Sequence, residues 1–307
     1  MRWRSRFRRR VRDILGIEQV IDDLTALRDV AGRLLTSSLV KARTDKDIRS
    51  YEAKIYSQFG EDGIVQFLLA EIDKPIPKRF VEIGVDDYRE CNTRNLLVNY
   101  GWTGLVLEAQ KDNVEAIQRS PIGWRYPLTV ENSFVTAENA KATMAKHGYQ
   151  TDLGLLSIDI DGMDFWVLQA ADVRAAIVIA EYNALWGSAR NVTVPYNASF
   201  DRFRSHWSGL YFGASIRSLV KLMEERDYRF VGSNSQGSNA FFVLGNLSDL
   251  PRLHPDDAQI RPTFNQARDA RGFLNPSATA NALQEISELP LLDLDTGRHV
   301  RVRDVLT

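Results

Sequence analysis

The feature that most constrains the fold is the alternation of short apolar runs with amphipathic stretches between Tyr51 and Asn183. Each apolar run has the length of a strand, and helical spacing follows it. This pattern is typical of βαβ units around a mostly parallel sheet. The predicted strands are RFVEIGV, TGLVLEA, YPLTVENSF, LGLLSIDI and AAIVIAEYN. The sequence therefore predicts an α/β fold with helices on both faces of a central sheet.

The chain changes character after Asn183. Residues 184–214 are rich in aromatic residues, Asn and Ser but show no clear periodicity, which predicts a lid-like insertion. A helical stretch and the segment RFVGSNSQGSNAFFVLG follow, and the segment predicts a C-terminal antiparallel hairpin. We expect the main α/β domain to span 49–246. Residues 247–307 form a polar extension in which ALQEISELPLL alone indicates order.

Residues 1–48 precede this domain. The first twelve residues contain seven arginines and no acid, and they lead into a stretch with the spacing of one helix face. Its apolar positions are Ile14, Ile17, Ile21, Leu24, Ala31 and Leu35. Such a segment could attach to anionic lipid or to a partner helix, or it could be a solvated basic tail before a packing helix. The sequence leaves these alternatives open.

Composition excludes several classes of protein. The net charge of −1 gives no reason to expect a nucleic-acid partner. The single cysteine, Cys91, excludes an internal disulfide and fits a reducing cytosol. No uninterrupted apolar stretch approaches the roughly 18 to 20 residues that span a bilayer. We therefore expect a cytoplasmic protein, which the basic N-terminus could hold at the inner face of the membrane.

Polar residues follow each predicted strand, where ligands bind in open parallel sheets. Most are acidic. The five strand ends carry Glu82, Gly84, Asp86 and Asp87; Glu108; Glu131, Asn132 and Ser133; Asp159 and Asp161; and Glu181 and Asn183.

The first two strand ends indicate a cofactor. The turn in FVEIGVDD has a single glycine, Gly84, and not the G-x-G-x-x-G pattern of dinucleotide sites. An acidic turn containing Asp86 suits a ligand with an amino group and no phosphate. Glu108, at the second strand end, is placed to accept both ribose hydroxyls. These residues together predict S-adenosylmethionine as the cofactor.

The fourth and fifth strand ends supply candidate catalytic groups. Asp159, Asp161, Glu181 and Asn183 could offer four oxygen ligands to Mg²⁺, and a metal or a base is one way to remove a hydroxyl proton. His206, in the insertion, is an alternative base. The carboxylates could instead cap a helix, close a turn or satisfy local hydrogen bonds.

Several blocks in order resemble a known family. YSQFGEDGI, FVEIGVDDYRECNTRNLL, GWTGLVLEA, LLSIDIDGMDFWVL, IVIAEYN, VTVPY, YFGAS and NAFFV resemble a bacterial group related to the FkbM-type S-adenosylmethionine-dependent methyltransferases. The resemblance extends from about Tyr51 to Val243. It implies a Rossmann-like class I methyltransferase fold and O-methylation of a sugar or glycan hydroxyl in polysaccharide biosynthesis.

The resemblance also implies roles for individual residues. Glu82 and Gly84 match the cofactor loop, Glu108 the ribose position, and Asp159 the acidic residue beside the transferred methyl group. Gln58 would reach the methionine part of the cofactor, and Asn132 and Ser133 would lie near the adenine. Two positions depart from the pattern: Tyr88 replaces a frequent glycine, and Ser157 precedes IDIDG where many members have lysine.

Two other classes of function remain open. A scaffold protein of a glycan-assembly complex could keep the sheet and the cofactor site without catalysing transfer. A metal-dependent nucleotide-sugar transferase could use the Asp-Ile-Asp sequence at 159–161 as a metal motif, although no basic residues at the first turn are available for a diphosphate.

Overall fold

The computed structural model describes residues 17–42, 45–258, 267–275 and 279–306. Within these ranges the strands are β1 Arg79–Ile83, β2 Thr103–Glu108, β3 Leu128–Asn132, β4 Leu153–Ile158, β5 Ala175–Glu181, β6 Val192–Thr193, β7 Tyr228–Ser233, β8 Asn239–Leu244, β9 Pro290–Asp293 and β10 Arg298–Arg301. The arginine-rich residues 1–12, and Ile14 of the predicted helix face, lie outside the described residues.

Ten α-helices lie in the described ranges and connect or cover these strands. They are α1 Ile17–Lys41, α2 Glu61–Glu71, α3 Arg94–Tyr100, α4 Lys111–Arg119, α5 Pro121–Arg125, α6 Ala140–Lys146, α7 Asp164–Ala171, α8 Arg202–Ser205, α9 Ile216–Glu224 and α10 Thr279–Ile286. None of the helices in the described ranges has the length and apolarity required to cross a membrane.

The central sheet has seven strands in the order β3-β2-β1-β4-β5-β8-β7. Strands β1 to β5 pair in parallel, whereas β8 runs antiparallel to both β5 and β7. Alternate residues of β1 and β4 enter two buried clusters on opposite faces of the sheet. This arrangement confirms the predicted Rossmann-like sheet with helices on both faces and a C-terminal antiparallel hairpin.

The order of the strands locates the expected ligand crevice. The chain winds outward from β1 to β2 and β3, and then returns to place β4 on the other side of β1. In such sheets the crevice lies beyond the carboxyl ends of the two strands at this reversal. Here those ends are Ile83 of β1 and Ile158 of β4, which pair with each other.

A second, three-stranded sheet joins the insertion to the C-terminal extension. Strand β6 of the insertion pairs with β9, and β9 pairs with β10, both antiparallel. A separate buried cluster covers this sheet and contains Trp186 and Tyr211 from the insertion together with Leu291 and Val302 from the extension. The two segments therefore pack as one module beside the carboxyl edge of the central sheet.

Candidate active site

A cavity of about 360 Å³ lies beyond the carboxyl ends of the parallel strands. Loops after β1, β2, β3 and β4 line it, and residues 196–203 of the insertion form a further wall. The volume is in the range of cavities that hold small-molecule ligands. The crevice expected from the strand order is therefore present and is closed on one side by the insertion.

Glu108 holds the loop that follows β1. One carboxylate oxygen accepts hydrogen bonds from the backbone N–H groups of Val85 and Asp86 at 3.2 and 3.0 Å, and the other accepts one from Gln110 at 2.7 Å. A carboxylate has about four acceptor positions, so capacity for a ligand donor remains. Gly84 has a φ of 79° in this loop, and a Cβ there would lie 1.7 Å from the carbonyl oxygen of Asp159. Only glycine permits this approach of the two loops.

Gln58 reaches the cavity because a buried carboxylate orders the segment before it. Oδ2 of Asp62, at the start of α2, accepts backbone hydrogen bonds from Ile55, Tyr56 and Ser57 at 2.6 to 2.9 Å. Burial raises the pKa of Asp62 to about 6, although these hydrogen bonds oppose the shift. The Asp62 side chain therefore fixes the backbone of the YSQFGEDG segment, and this segment places Gln58 in the cavity lining.

Three carboxylates converge at the ends of β4 and β5. Asp159, Asp161 and Glu181 each offer an oxygen, and these oxygens lie within 4.8 Å of one another. Burial, with the neighbouring negative charges as a smaller cause, raises the pKa values of Asp159 and Glu181 well above their ordinary range. Glu181 Oε2 is buried and has no hydrogen-bond partner among the described residues. This group of acids is therefore suited to hold a proton, a hydroxyl group or a cation.

Arg202 of α8 provides positive charge at this cluster. Its Nη1 lies 2.6 Å from Asp161 Oδ1 and 4.0 Å from Glu181 Oε1, and its guanidinium stacks on Phe212 at 3.7 Å from the ring centroid. Nε donates to the carbonyl of Gly209 at 2.5 Å. The side chain is only 5% exposed. The insertion therefore contributes a fixed charge to the site, which strand-end patterns alone could not indicate.

Asp164 shapes the loop between β4 and α7. Its carboxylate accepts hydrogen bonds from the backbone N–H groups of Ile160 and Gly162 at 2.8 and 2.9 Å. Burial raises the pKa of Asp164 to about 6, although these hydrogen bonds lower it. Asp161, between the two donors, has a φ of 58° and a mostly exposed side chain. Asp164 thus holds Asp159 and Asp161 in position without lining the cavity itself.

The structure brings together only some of the residues predicted from the sequence. The cavity lining includes Gln58, Gly84, Asp86, Glu108, Ser133, Asp159 and Asp161. Glu82, Asn132, Glu181, Asn183 and His206 do not line it. For Glu82, Asn132, Asn183 and His206, the partners of the side chains explain why.

Glu82 and Asn132 stabilise loops. Glu82 accepts hydrogen bonds from the backbone N–H groups of Asn92 and Thr93 and from the Thr93 hydroxyl. Asn132 Nδ2 donates to the carbonyls of Glu108 and Ala109, at 3.0 and 2.8 Å. Both side chains therefore act on backbone that borders the site.

Asn183 contacts residues of the insertion, and His206 contacts both the insertion and the C-terminal extension. Asn183 Nδ2 donates to the carbonyls of Leu210 and Phe212, both at 3.0 Å, and Oδ1 accepts from Leu185 N–H. These bonds occupy its amide, and it does not join the three-carboxylate group. His206 Nδ1 lies 2.7 Å from Ser208 Oγ and its Nε2 lies 3.4 Å from Glu285.

The aromatic residues of the insertion divide between packing and the cavity. Trp186, Tyr211 and Phe212 are buried, which is the packing alternative for such side chains. Tyr196, Phe200 and Phe203 line the cavity, and the Tyr196 hydroxyl donates to Glu138 at 2.5 Å. These three aromatic residues are therefore placed to touch a ligand.

The charge of the cavity fits a cofactor that carries amino and sulfonium groups. Among the described residues, the lining includes six acids, Asp86, Glu90, Glu108, Asp159, Asp161 and Asp201, and a single base, Arg202. A diphosphate would meet repulsion from most of this surface, whereas a cationic ligand would be attracted. The donor and acceptor groups present thus fit S-adenosylmethionine.

Comparison with solved structures finds methyltransferases at low sequence identity and low TM-score. An O-methyltransferase from Bacillus cereus in complex with SAH is 16% identical, with a TM-score of 0.34 over 54% of this chain and 72% of that one. The methyltransferase domain of bacterial CtHen1-C is 16% identical, with a TM-score of 0.35 over 55% of this chain and 90% of that one. The CurJ carbon methyltransferase is 10% identical, with a TM-score of 0.37 over 73% and 70% of the two chains.

No family model and no curated protein matches the sequence. The function is therefore inferred from the residues of this chain.

Proposed function

We propose that this chain is an S-adenosylmethionine-dependent O-methyltransferase that acts on a sugar or glycan hydroxyl. The observation that carries the proposal is the acidic cavity at the strand reversal, with Glu108 at the end of β2 and Asp159 at the end of β4. The choice of a sugar as acceptor is supported by the resemblance of the sequence blocks to FkbM-type methyltransferases.

The bound cofactor would supply an electrophilic methyl group that forms a bond to the acceptor oxygen as its bond to sulfur breaks. The contribution of the protein is to hold that oxygen in line, about 3 Å from the methyl carbon, and to remove its proton. Asp159 is the proposed general base, because it lines the cavity and its pKa lies well above the ordinary value for an aspartate. Arg202 would hold Asp161 in place to orient the acceptor hydroxyl.

A divalent cation at the three carboxylates is a second candidate for activating the hydroxyl. It is favoured by the unpartnered Oε2 of Glu181, since a buried polar atom without a partner is costly. Asp159, Asp161 and Glu181 would be its protein ligands, and a bound Mg²⁺ would lower the pKa of a coordinated hydroxyl. Calorimetry with Mg²⁺, on the native protein and on Glu181→Gln, distinguishes this candidate from the general base.

The cofactor assignment is tested by calorimetric titration with S-adenosylmethionine and SAH. We expect micromolar binding, a loss of at least about tenfold in Glu108→Gln, and no change in Glu225→Gln, an exposed residue directly after α9. Transfer from methyl-labelled cofactor to a panel of sugars then tests the acceptor class. Absence of cofactor binding would favour the nucleotide-sugar transferase, whereas binding without transfer to any acceptor would favour the scaffold.

A further inference from the structure

Helix α1 packs on the domain through Gly32 and Thr36 and, in its last turn, through the partly buried Leu39 and Val40, whereas its large apolar residues between Val20 and Leu35 face outward. Gly32 and Thr36 are buried, and Asp29 accepts a hydrogen bond of 2.5 Å from the Tyr56 hydroxyl. Seven apolar residues of the same helix are 47 to 67% exposed. A surface helix normally buries its apolar stripe against the core. The apolar stripe of α1 instead faces solvent, which marks it as a surface for interaction.

Five exposed apolar residues of this helix recur at alternating steps of four and three, which is the heptad spacing of coiled coils. The a and d positions are Val20, Leu24, Leu27, Ala31 and Leu34, all exposed. We call these five residues the α1 seam. The residues that face the domain, Asp29, Gly32 and Thr36, occupy b and f positions, away from the seam. The domain therefore leaves the whole seam accessible.

The charges beside the seam match a second copy of the same helix. In the register of the seam, Asp23 occupies a g position and Arg28 the following e position. Two parallel copies place g of one helix beside e of the next heptad on the other, which forms an Asp23–Arg28 pair on each side. Arg28 also stacks over Tyr56 at 4.2 Å, but stacking uses the face of the guanidinium and leaves its N–H groups at the edge.

A lipid surface fits this helix less well. Between Ile17 and Lys41 the sequence has four acids and three bases, whereas interfacial helices are rich in Lys and Arg on their polar face. Asp23 borders the apolar stripe, where contact with hydrocarbon would be costly. The seven arginines of residues 1–12 would repel each other in a parallel pair, but this repulsion is screened at physiological salt.

We propose that the α1 seam binds the α1 seam of a second copy of this chain in a parallel coiled coil. The proposal is independent of the proposed methyl transfer, because it uses no residue of the cavity. In this dimer the exposed apolar stripe of each α1 is covered by the α1 of the other copy, and the two helices run in the same direction.

Sedimentation equilibrium of the full chain, without lipid and at physiological salt, tests the proposal. We expect a dimer whose dissociation constant rises at least about a hundredfold in Leu24→Gln/Leu27→Gln. Both leucines are exposed in the single chain, so the fold should be retained, which circular dichroism checks. The control is Arg33→Asp, an exposed charge reversal at a c position of the same helix, and it should leave the dimer intact.

Charge reversal tests the orientation. We expect Asp23→Arg and Arg28→Asp each to weaken the dimer by about tenfold, because each places like charges together, and the double swap to restore it. Residues 23 and 28 are not neighbours on one helix, so rescue reports contact between copies. A double swap as weak as the single variants would overturn the proposal.

A native chain that stays monomeric would also overturn it. If the monomer instead binds vesicles containing phosphatidylserine, and Leu24→Gln/Leu27→Gln abolishes that binding, the seam is a lipid-binding face.

Discussion

At the scale of single residues, Glu82 shows how a buried acid couples the fold to pH. It is 3% exposed, and burial raises the pKa of its carboxyl to about 7 from a usual value of 4.5. A carboxyl with a raised pKa in the folded state contributes stability below its unfolded pKa and loses that contribution as the pH rises through the folded value. The folded state should therefore lose stability between about pH 4.5 and 7.

We predict that Glu82→Gln reduces this pH dependence. The variant cannot ionise, so the fall in its free energy of unfolding between pH 5 and 8 should be smaller than in the native chain by about 3 kcal/mol. Urea denaturation across a pH series measures the difference. Glu225→Gln, an exposed substitution of the same kind, should follow the native curve. Parallel curves for Glu82→Gln and the native chain would contradict the assigned pKa.

We predict that Asp159→Asn lowers methyl transfer by at least about a hundredfold while cofactor affinity stays within a few-fold, because a general base acts on the acceptor proton. In the native protein the rate should rise with pH as Asp159 loses its proton, and this rise should be absent in the variant. Steady-state kinetics across pH measures both effects.

Asp201→Asn is the matched control for Asp159→Asn. Asp201 lines the same cavity, but its carboxylate accepts hydrogen bonds from the backbone N–H groups of Phe203 and Arg204, which an asparagine oxygen can also accept. We expect its activity and pH profile to be close to native. An equal loss in both variants would point to the general charge of the cavity and not to a base.

Strand-end reasoning predicted that Glu108, Asp159 and Asp161 lie close together, and all three line the cavity, because parallel strands bring their carboxyl ends to one edge of the sheet. Strand-end reasoning could not predict that Ser133 lines the cavity while Asn132 does not. Successive side chains point in different directions, and the hydrogen bonds of Asn132 depend on carbonyl groups 23 and 24 residues away. Arg202 follows no strand of the central sheet and has no local pattern at all.

At the scale of elements, the insertion depends on the C-terminal extension. Strand β6 is two residues long, and its partner β9 begins almost a hundred residues later. So short a strand has no periodicity of its own, and its pairing is set by a distant segment. The sequence therefore predicted an irregular insertion and a mostly irregular tail, where the structure has a sheet with a buried cluster.

We predict that Leu291→Ala loosens the insertion. Leu291 of β9 is fully buried in the cluster that it shares with residues of the insertion, so its truncation should cost about 2 to 4 kcal/mol of unfolding free energy. Hydrogen exchange should increase in residues 192–214 but not in β1, β4 or β5. Leu292→Ala, on a half-buried neighbour, is the control and should show a smaller effect. Unchanged exchange in 192–214 would contradict the joint module.

At the scale of the whole molecule, ligand binding should stabilise the complete fold, because the cavity is lined by loops after four strands and by the insertion. We predict that SAH at about a hundred times its dissociation constant adds about 3 kcal/mol to the free energy of unfolding and raises the melting temperature. Glu108→Gln should reduce this shift in differential scanning fluorimetry, and Glu225→Gln should not. Equal shifts in all three proteins would place the ligand elsewhere.

The loop held by Asp62 touches two parts of the molecule. Its Ile55 and Tyr56 contact Gly32 and Asp29 of α1, and the next residues lead to Gln58 in the cavity. A change at α1 that shifts this loop would also shift Gln58 in the cavity lining, and linkage requires any such effect on binding to be reciprocal. If α1 forms the dimer, the ligand affinity depends on the protein concentration. Ligand titrations at different protein concentrations will then give different binding curves.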